Sequence, residues 1–186
     1  MNATVRKLLI TCLLLSSSVC FAEPAKQSDF WQTPTITGFG KMHYLADSAF
    51  KPDSSKQYRI VFGLTARADA PDQVNQALDR VARTVNLYVA AGVPLRHLHI
   101  VAVAYAQATP LVLNNQAYKN KYGTDNPNLA LIARLKKAGV TISVCGQAIA
   151  EQHFDYKDID PGVTLSLSAL TTITSLQQQG YALMPL

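Results

Sequence analysis

The sequence predicts a three-layer α/β sandwich, in which a mostly parallel sheet of about five strands carries helices on both faces. Runs rich in β-forming residues alternate with segments whose apolar residues recur at helical spacing. One strand candidate, residues 98–104, is apolar almost throughout, which is typical of a strand covered on both faces. Strands that alternate with helices are joined by crossover connections, and these connections produce parallel sheets.

The first half of the domain provides two strands and two helices. Residues 58–65 form the first β-rich run, and Pro71 fits the first turn of a helix whose apolar pattern continues to Gly92. The strand at 98–104 comes next. A second helix is expected over residues 128–137, where a glycine two positions later ends it.

The second half continues the alternation. A third strand over residues 140–144 ends at Cys145, and a short helix over 146–152 follows it. The remaining predicted elements are, in order, a strand at 163–165, a helix at 168–179 and a last strand at 181–184. No internal repeat interrupts this pattern, which indicates one domain.

The N-terminal segment has the three parts of an export signal. Two basic residues open it, residues 8–15 form a short apolar core, and small residues at Cys20 and Ala22 mark a cleavage site. We therefore expect residues 1–22 to be a signal peptide that is cut after Ala22. The product would be periplasmic or secreted.

A proline- and glycine-rich stretch separates this signal from the domain. Residues 23–56 lack long periodic apolar patterns, and we interpret them as an N-terminal arm with a docking segment. Its apolar side chains could attach it to the domain or to a neighbouring subunit. The α/β domain then occupies residues 57–186.

Charge and hydropathy exclude two classes of partner. The formal net charge of +5 falls to +3 when the two basic signal residues are removed, and the other basic residues are scattered, so no nucleic acid is expected to bind. No later stretch approaches the roughly 18 to 20 apolar residues that span a bilayer. We therefore expect no membrane association after signal cleavage.

Cys145 is the candidate reactive residue. Of the three cysteines, two lie in the predicted signal, so the exported protein would keep one thiol without a disulfide partner. In parallel sheets ligands gather at the carboxyl ends of strands, and Cys145 is predicted to end one just before a helix. The positive end of that helix would stabilise a thiolate. A buried cysteine that acts only as a small apolar residue is the alternative.

These segments together resemble the DsrE/DsrF-like family, which has the YchN-like fold, a flavodoxin-like arrangement of strands and helices. The resemblance extends from about residue 33 to residue 186, and its most specific part is the segment 138–147 around the cysteine. Other matching segments are 34–40, 61–65, 126–128, 161–163 and 168–182. After the second strand, where a His-Gly pair is frequent in the family, this sequence has Ala-Tyr-Ala-Gln at residues 104–107.

The resemblance implies a function for the cysteine. In several cytosolic relatives, a cysteine at the position of Cys145 accepts sulfane sulfur as a persulfide and passes it to another thiol. Relatives commonly form trimers or hexamers, so a homo-oligomer is expected here. The implied partners are sulfur donor and acceptor proteins or small sulfur species, and the protein would be at most a sulfurtransferase-like carrier.

Six further residues are candidates for binding at this site. Main-chain N–H groups of Gly146 and Gln147 could hold a terminal sulfur, and Gly146 offers no side chain that blocks approach. Thr65 and Arg67 follow the first strand, and Arg67 would favour an anionic sulfur species. The last two, Asn114 and Tyr118, are candidates for a lid over the crevice.

Other chemistries have little support in the sequence. His153 lies too far along the chain for a Cys/His pair, and His97 and His99 have no second pair of ligands at metal-binding spacing. There is no C-x-x-C, Walker or complete dinucleotide motif, so neither a metal nor a cofactor is expected. Two hypotheses remain: a persulfide carrier, or a non-catalytic oligomeric module with a structural cysteine that binds a small ligand or a protein.

Overall fold

The computed structural model describes residues 30–186 of the chain. The predicted signal peptide and the beginning of the predicted arm lie outside the described residues. The strands are β1 (Tyr58–Leu64), β2 (Leu98–Ala104), β3 (Thr141–Cys145), β4 (Thr164–Ser166) and β5 (Ala182–Pro185). The helices are α1 (Gln76–Ala90), α2 (Asn115–Tyr122), α3 (Leu129–Lys137), α4 (Gly146–Glu151) and α5 (Ala169–Gln178). Within this part of the chain, no helix is both long and apolar enough to cross a membrane.

The strands form one parallel sheet in the order β4-β3-β2-β1-β5. Leu64 of β1 is level with Ala104 of β2, which is level with Val144 of β3, so their carboxyl ends lie along one edge. The chain moves outward from β1 to β4 and then returns to the opposite side of β1. The predicted parallel sheet of about five strands is confirmed.

Helices cover both faces of this sheet. Alternate strand residues point to opposite faces, so Phe62 joins a large core beneath α1 and α3, whereas Val61 joins a smaller core beneath α5. Cys145 belongs to the smaller core, together with Val103 and Ala169. The predicted three-layer sandwich is confirmed, and the thiol lies on the α5 face.

Two helical segments differ from the sequence prediction. Helix α1 begins at Gln76 rather than at Pro71, because the Asn75 side chain accepts a hydrogen bond from the Leu78 N–H and caps the helix there. Helix α2 is absent from the sequence prediction. Its eight residues are mostly polar and lack an apolar stripe, and the Asn114 side chain caps its first turn.

Part of the predicted arm folds back against α1 of the same chain. The fully buried Asn86 accepts hydrogen bonds from the N–H groups of Thr35 and Ile36, at 3.1 and 2.8 Å. Its amide nitrogen donates to the carbonyl oxygens of Phe39 and Gly40, both at 3.0 Å. One side chain therefore satisfies four main-chain groups of the arm.

Close contact between main chains completes this attachment. Gly40 has a φ of 62°, and a β-carbon at this position would lie 2.2 Å from the main-chain nitrogen of Arg83, so only glycine fits. Its N–H donates to Asp79 at 2.7 Å. Ile36 and Met42 are buried beside it. The segment from Gln32 to Met42 is thus part of the folded domain.

Candidate functional site

Cys145 is the last residue of β3 and immediately precedes α4. Its side chain is only 5% exposed, and it packs among Val61, Val103 and Ala169 on the α5 face. It is the free cysteine of the described residues. The predicted site residue therefore lies at the carboxyl edge of the sheet, but its sulfur is covered.

A serine at the start of α5 is the polar neighbour of this thiol. The Cys145 sulfur donates a weak hydrogen bond to Ser168 Oγ at 3.9 Å. Ser168 caps α5, since its Oγ also accepts from the Leu170 N–H at 3.2 Å. Ser168 therefore lies between the thiol and the N-terminus of α5.

Gly146 and Gln147 contact the neighbouring strand rather than an open crevice. Gly146 is buried, and a β-carbon at this position would lie 2.8 Å from the carbonyl oxygen of Ser166. The exposed Gln147 side chain donates to the Leu167 carbonyl oxygen at 3.1 Å. The absence of a side chain at Gly146 thus permits close packing of α4 against the end of β4.

Replacing Gly146 with alanine is expected to destabilise the protein by about 1 to 3 kcal/mol, because the added methyl group overlaps a main-chain oxygen that cannot turn away. Urea unfolding measures the change. Gly162→Ala is the matched control, since its added methyl group would meet only the side-chain ends of Asp160 and Lys136. Equal losses in the two variants would show that the approach of Ser166 does not constrain Gly146.

Three exposed leucines belong to the segments that lead from β4 into α5. Leu165, Leu167 and Leu170 are 45%, 73% and 79% exposed. They belong to β4, to the following turn and to the first turn of α5, all of which adjoin Cys145 or Gly146. We call these three residues the leucine patch. The same segments carry Ser166, which pairs with Cys145, and Ser168, the polar neighbour of the thiol.

A separate cavity of about 430 Å³ lies at the same edge of the sheet, on the face of α1 and α3. Arg67 and Tyr118 both line it, as do Asn75 before α1 and Asn128 before α3. We call it the Arg67 cavity. Neither Cys145 nor its two following residues line it; α4 separates them, with the thiol at its beginning and the cavity-lining Gln152 just after its end.

Two tyrosines form one side of the Arg67 cavity. The rings of Tyr118 and Tyr122 lie 4.6 Å apart, and the Tyr118 hydroxyl donates to the Pro71 carbonyl oxygen at 2.8 Å. Burial raises the pKa of Tyr118, with a smaller contribution from the neighbouring Tyr122. Burial likewise raises the pKa of Tyr122, although nearby Arg67 opposes the change. Both phenols are therefore neutral at physiological pH.

A chain of buried asparagines holds the floor of the Arg67 cavity. Asn128 accepts a hydrogen bond from the Asn75 N–H at 2.8 Å, and its own N–H and side-chain amide donate to Asn126 at 3.0 and 2.9 Å. The Asn126 amide donates to the carbonyl oxygens of Leu111 and Leu113. These bonds fix the starts of α1 and α3 relative to the connection after β2.

A known protein family matches the part of the chain that contains the sheet and its helices. The profile of the DsrE/DsrF-like family matches residues 59–186, which is more than half of the chain. The chain belongs to the DsrE/DsrF-like family. This confirms the resemblance inferred from the sequence.

Solved structures of low sequence identity show the same fold. The chain is similar to the protein of unknown function MTH1491 from Methanobacterium thermoautotrophicum, with 20% identity and a TM-score of 0.52. It is also similar to the ychN protein from E. coli, with 13% identity and a TM-score of 0.52. Each comparison covers 70% of this chain and all of the other. The search of curated proteins gave no match.

In this DsrE/DsrF-like protein, two predicted binding residues have other contacts. The N–H and hydroxyl of Thr65 both donate to the Leu186 main-chain oxygen at 3.0 Å, which joins the end of β1 to the segment after β5. Asn114 caps α2, and its side-chain nitrogen also contacts the Lys157 carbonyl oxygen at 3.3 Å. Neither residue lines the Arg67 cavity, so the seven predicted site residues are not brought together in one crevice.

Sequence reasoning misses the polar residues that organise both regions. It places Ser168 only at the start of a helix, although a serine just before an apolar helix is a capping signal. Asn126 and Asn128 belong to a segment that resembles the family, but nothing in their spacing indicates that they bond to each other. Their role depends on contacts with Asn75 and with residues near position 112, which only the folded chain brings close.

Histidines and acidic residues do not gather around either region. His99 contacts the Gln57 side chain, whereas His97 lies in a 3-10 turn and contacts the Ser54 carbonyl oxygen. Among residues 30–186, no three His, Cys, Asp or Glu side chains are grouped so that they could hold a metal ion.

Proposed function

We propose that this protein is an exported sulfur carrier in which Cys145 accepts sulfane sulfur as a persulfide. Membership of the DsrE/DsrF-like family supports a role in sulfur relay at family level. The observation that carries the finer proposal is the position of Cys145 at the end of β3, in contact with Ser168 at the N-terminus of α5. The proposed location is the periplasm or the medium, after removal of residues 1–22.

The transfer needs a nucleophilic sulfur and no external oxidant. The Cys145 thiolate attacks the outer sulfur of a donor persulfide, the donor sulfur–sulfur bond breaks, and the donor thiolate leaves. An acceptor thiolate then attacks the terminal sulfur of the Cys145 persulfide and restores the Cys145 thiolate. The zero-valent sulfur changes carriers in each step, so electrons and atoms balance. Ser168 is suited to donate a hydrogen bond to the charged sulfur.

Burial of the thiol requires that its cover opens during transfer. With 5% exposure, Cys145 can be attacked or alkylated only when a neighbouring side chain moves. The leucine patch lies on segments whose serines contact Cys145, and we propose that it binds a donor, an acceptor or another copy of the chain. A homo-oligomer, either a trimer or a hexamer, is part of this proposal.

The same burial favours a second candidate function. A cysteine that packs as a small apolar residue would fit a non-catalytic oligomeric module that binds a small ligand or a protein. In that case the thiol has no chemical role. The two functions differ in whether Cys145 takes up sulfur in the native protein.

Native protein incubated with inorganic polysulfide is expected to gain one sulfur atom on Cys145. The thiolate takes one sulfur from the polysulfide, which leaves as a polysulfide shorter by one atom. Mass spectrometry of the peptide that contains Cys145 measures the gain, and native mass spectrometry of the same sample gives the number of chains. Cys145→Ser should gain none. Ser168→Ala keeps the thiol but removes its polar partner, so slower loading is expected.

A thiol that stays unloaded in native protein, yet reacts fully after denaturation, would contradict the sulfur-carrier proposal and favour the structural role. Equal sulfur gain at Cys145 in native and urea-unfolded protein would show that the folded site contributes nothing. Unchanged loading in Ser168→Ala would remove the serine from the mechanism without affecting the role of Cys145.

A further inference from the structure

The Arg67 cavity has features of a ligand site that are independent of the thiol. It lies on the opposite face of the sheet from the Cys145 side chain, and none of its lining residues contacts the sulfur. Its volume of about 430 Å³ lies in the range of pockets that hold small metabolites, roughly 300 to 1,000 Å³. A ligand bound in this cavity would therefore serve a function beyond sulfur transfer.

The cationic groups at this cavity form no ion pair within residues 30–186. The ion pairs of the described residues join Lys119 to Asp125 and Lys157 to Asp155. Arg67 and Lys121, which both line the cavity, take part in neither. Two positive side chains are thus available to a ligand.

Lys121 is held near the cavity by aromatic rings. Its ammonium group lies 4.7 Å from the ring centre of Phe154 and 5.8 Å from that of Tyr122. Such contacts position the cation without neutralising its charge. Lys121 therefore still carries a full positive charge beside the cavity.

One acidic residue also lines the cavity and limits its net charge. The Asp69 carboxylate accepts a hydrogen bond from the Gln76 side chain, so part of its hydrogen-bonding capacity is used. Two cations and one carboxylate leave a net charge of +1 on the lining. A single negative charge on the ligand would balance it.

Part of the remaining wall is apolar and can contact an apolar body. Ala68, Ala70, Ala108, Pro110 and Leu111 contribute apolar surface. The buried side-chain amides of the cavity floor are already hydrogen-bonded to one another and to the main chain. They therefore define the shape of the cavity and do not form new hydrogen bonds with a ligand. Recognition of a negative charge is left to the two cationic side chains, and Gln107 and Gln152 add neutral polar groups.

We propose that the Arg67 cavity binds a small organic monoanion, in which one carboxylate or comparable acidic group contacts Arg67 and Lys121 and an apolar body contacts the alanine- and proline-lined wall. The buried asparagine chain holds the two helix starts in place before the ligand arrives. Binding then orders few groups of the protein, which reduces its entropic cost.

Titration of ¹⁵N-labelled protein with benzoate and hexanoate tests this proposal. At least one of the two is expected to bind saturably and to shift amide resonances of the cavity, such as those of Asn75 and Asn128. The uncharged amides, benzamide and hexanamide, should bind about five- to tenfold more weakly, because they lack the charge that the two cations recognise.

Single substitutions locate the anion contact. Arg67→Gln and Lys121→Gln are each expected to weaken binding of the anion by about fivefold or more, since each removes one charged contact. Lys119→Gln is the matched control: it lies on the same helix as Lys121, is paired with Asp125 and does not line the cavity, so binding should be unchanged.

Several outcomes would overturn the proposal. These are the absence of saturable binding of both anions at tens of millimolar, equal affinity for the anions and their amides, and shifts centred on the leucine patch. If Lys119→Gln weakened anion binding equally, the effect would reflect the general surface charge of the protein rather than contacts in the cavity. Because the assay involves no sulfur chemistry, its result is independent of persulfide formation on Cys145.

Discussion

Asn86→Leu is expected to destabilise the protein by more than about 3 kcal/mol and to lower its melting temperature by about 6 to 12 °C. Leucine has the same branched arrangement of side-chain heavy atoms as asparagine but cannot form the four hydrogen bonds that Asn86 makes with the arm. If the arm stays in place, two N–H groups and two carbonyl groups lose their partners. If it detaches, Ile36 and Met42 become exposed to water.

Thermal and urea unfolding measure this loss. Asn120→Leu is the control, because Asn120 is exposed on α2 and accepts one hydrogen bond, from Gln116. Its effect should stay within about 0.5 kcal/mol. Similar stability of the two variants would mean that the arm contributes little to the fold in solution.

The second large effect is expected for Asn126→Leu, again a loss of more than about 3 kcal/mol. The substitution leaves the carbonyl groups of Leu111 and Leu113 and two donors of Asn128 without partners inside the protein. It also frees Asn128, which accepts the N–H of Asn75. Faster hydrogen exchange of the Asn75 amide should therefore accompany the loss of stability.

A variant that loses only one hydrogen bond distinguishes the contribution of the whole asparagine chain from that of a single bond. Asn115→Ala removes one hydrogen bond, from the Asn126 N–H at 3.0 Å, and should cost about 1 kcal/mol. If Asn126→Leu cost no more than Asn115→Ala, or left exchange at Asn75 unchanged, the asparagine chain would not hold the cavity floor.

The sheet could be predicted from the sequence because its signals are local. A strand such as Leu98–Ala104 is apolar except at His99 since helices cover both of its faces, and each amphipathic helix carries its own period. Helix α2 has no such signal, because it is stabilised by the Asn114 cap and by burial of Tyr118. Helices and strands that are stabilised by individual tertiary contacts produce little recognisable periodicity in the sequence.

The candidate site was less predictable for the same reason. Strand and helix order indicated that Cys145 would end one strand and Arg67 would follow another at the same edge, and the structure has both there. The periodicity of apolar residues could not show that the Cys145 side chain points to one face of the sheet whereas the Arg67 cavity opens on the other face. Nor could it show that Thr65 would contact Leu186, which is 121 positions away.

Both outer strands of the sheet are short. β4 has three residues and β5 has four, and Pro185 in β5 has no N–H to offer. Edges of this kind present few free main-chain groups, so they are poor templates for adding a strand from another molecule. An assembly of this protein would consequently depend on contacts between side chains, and its sheets would stay separate rather than continue from one subunit into the next.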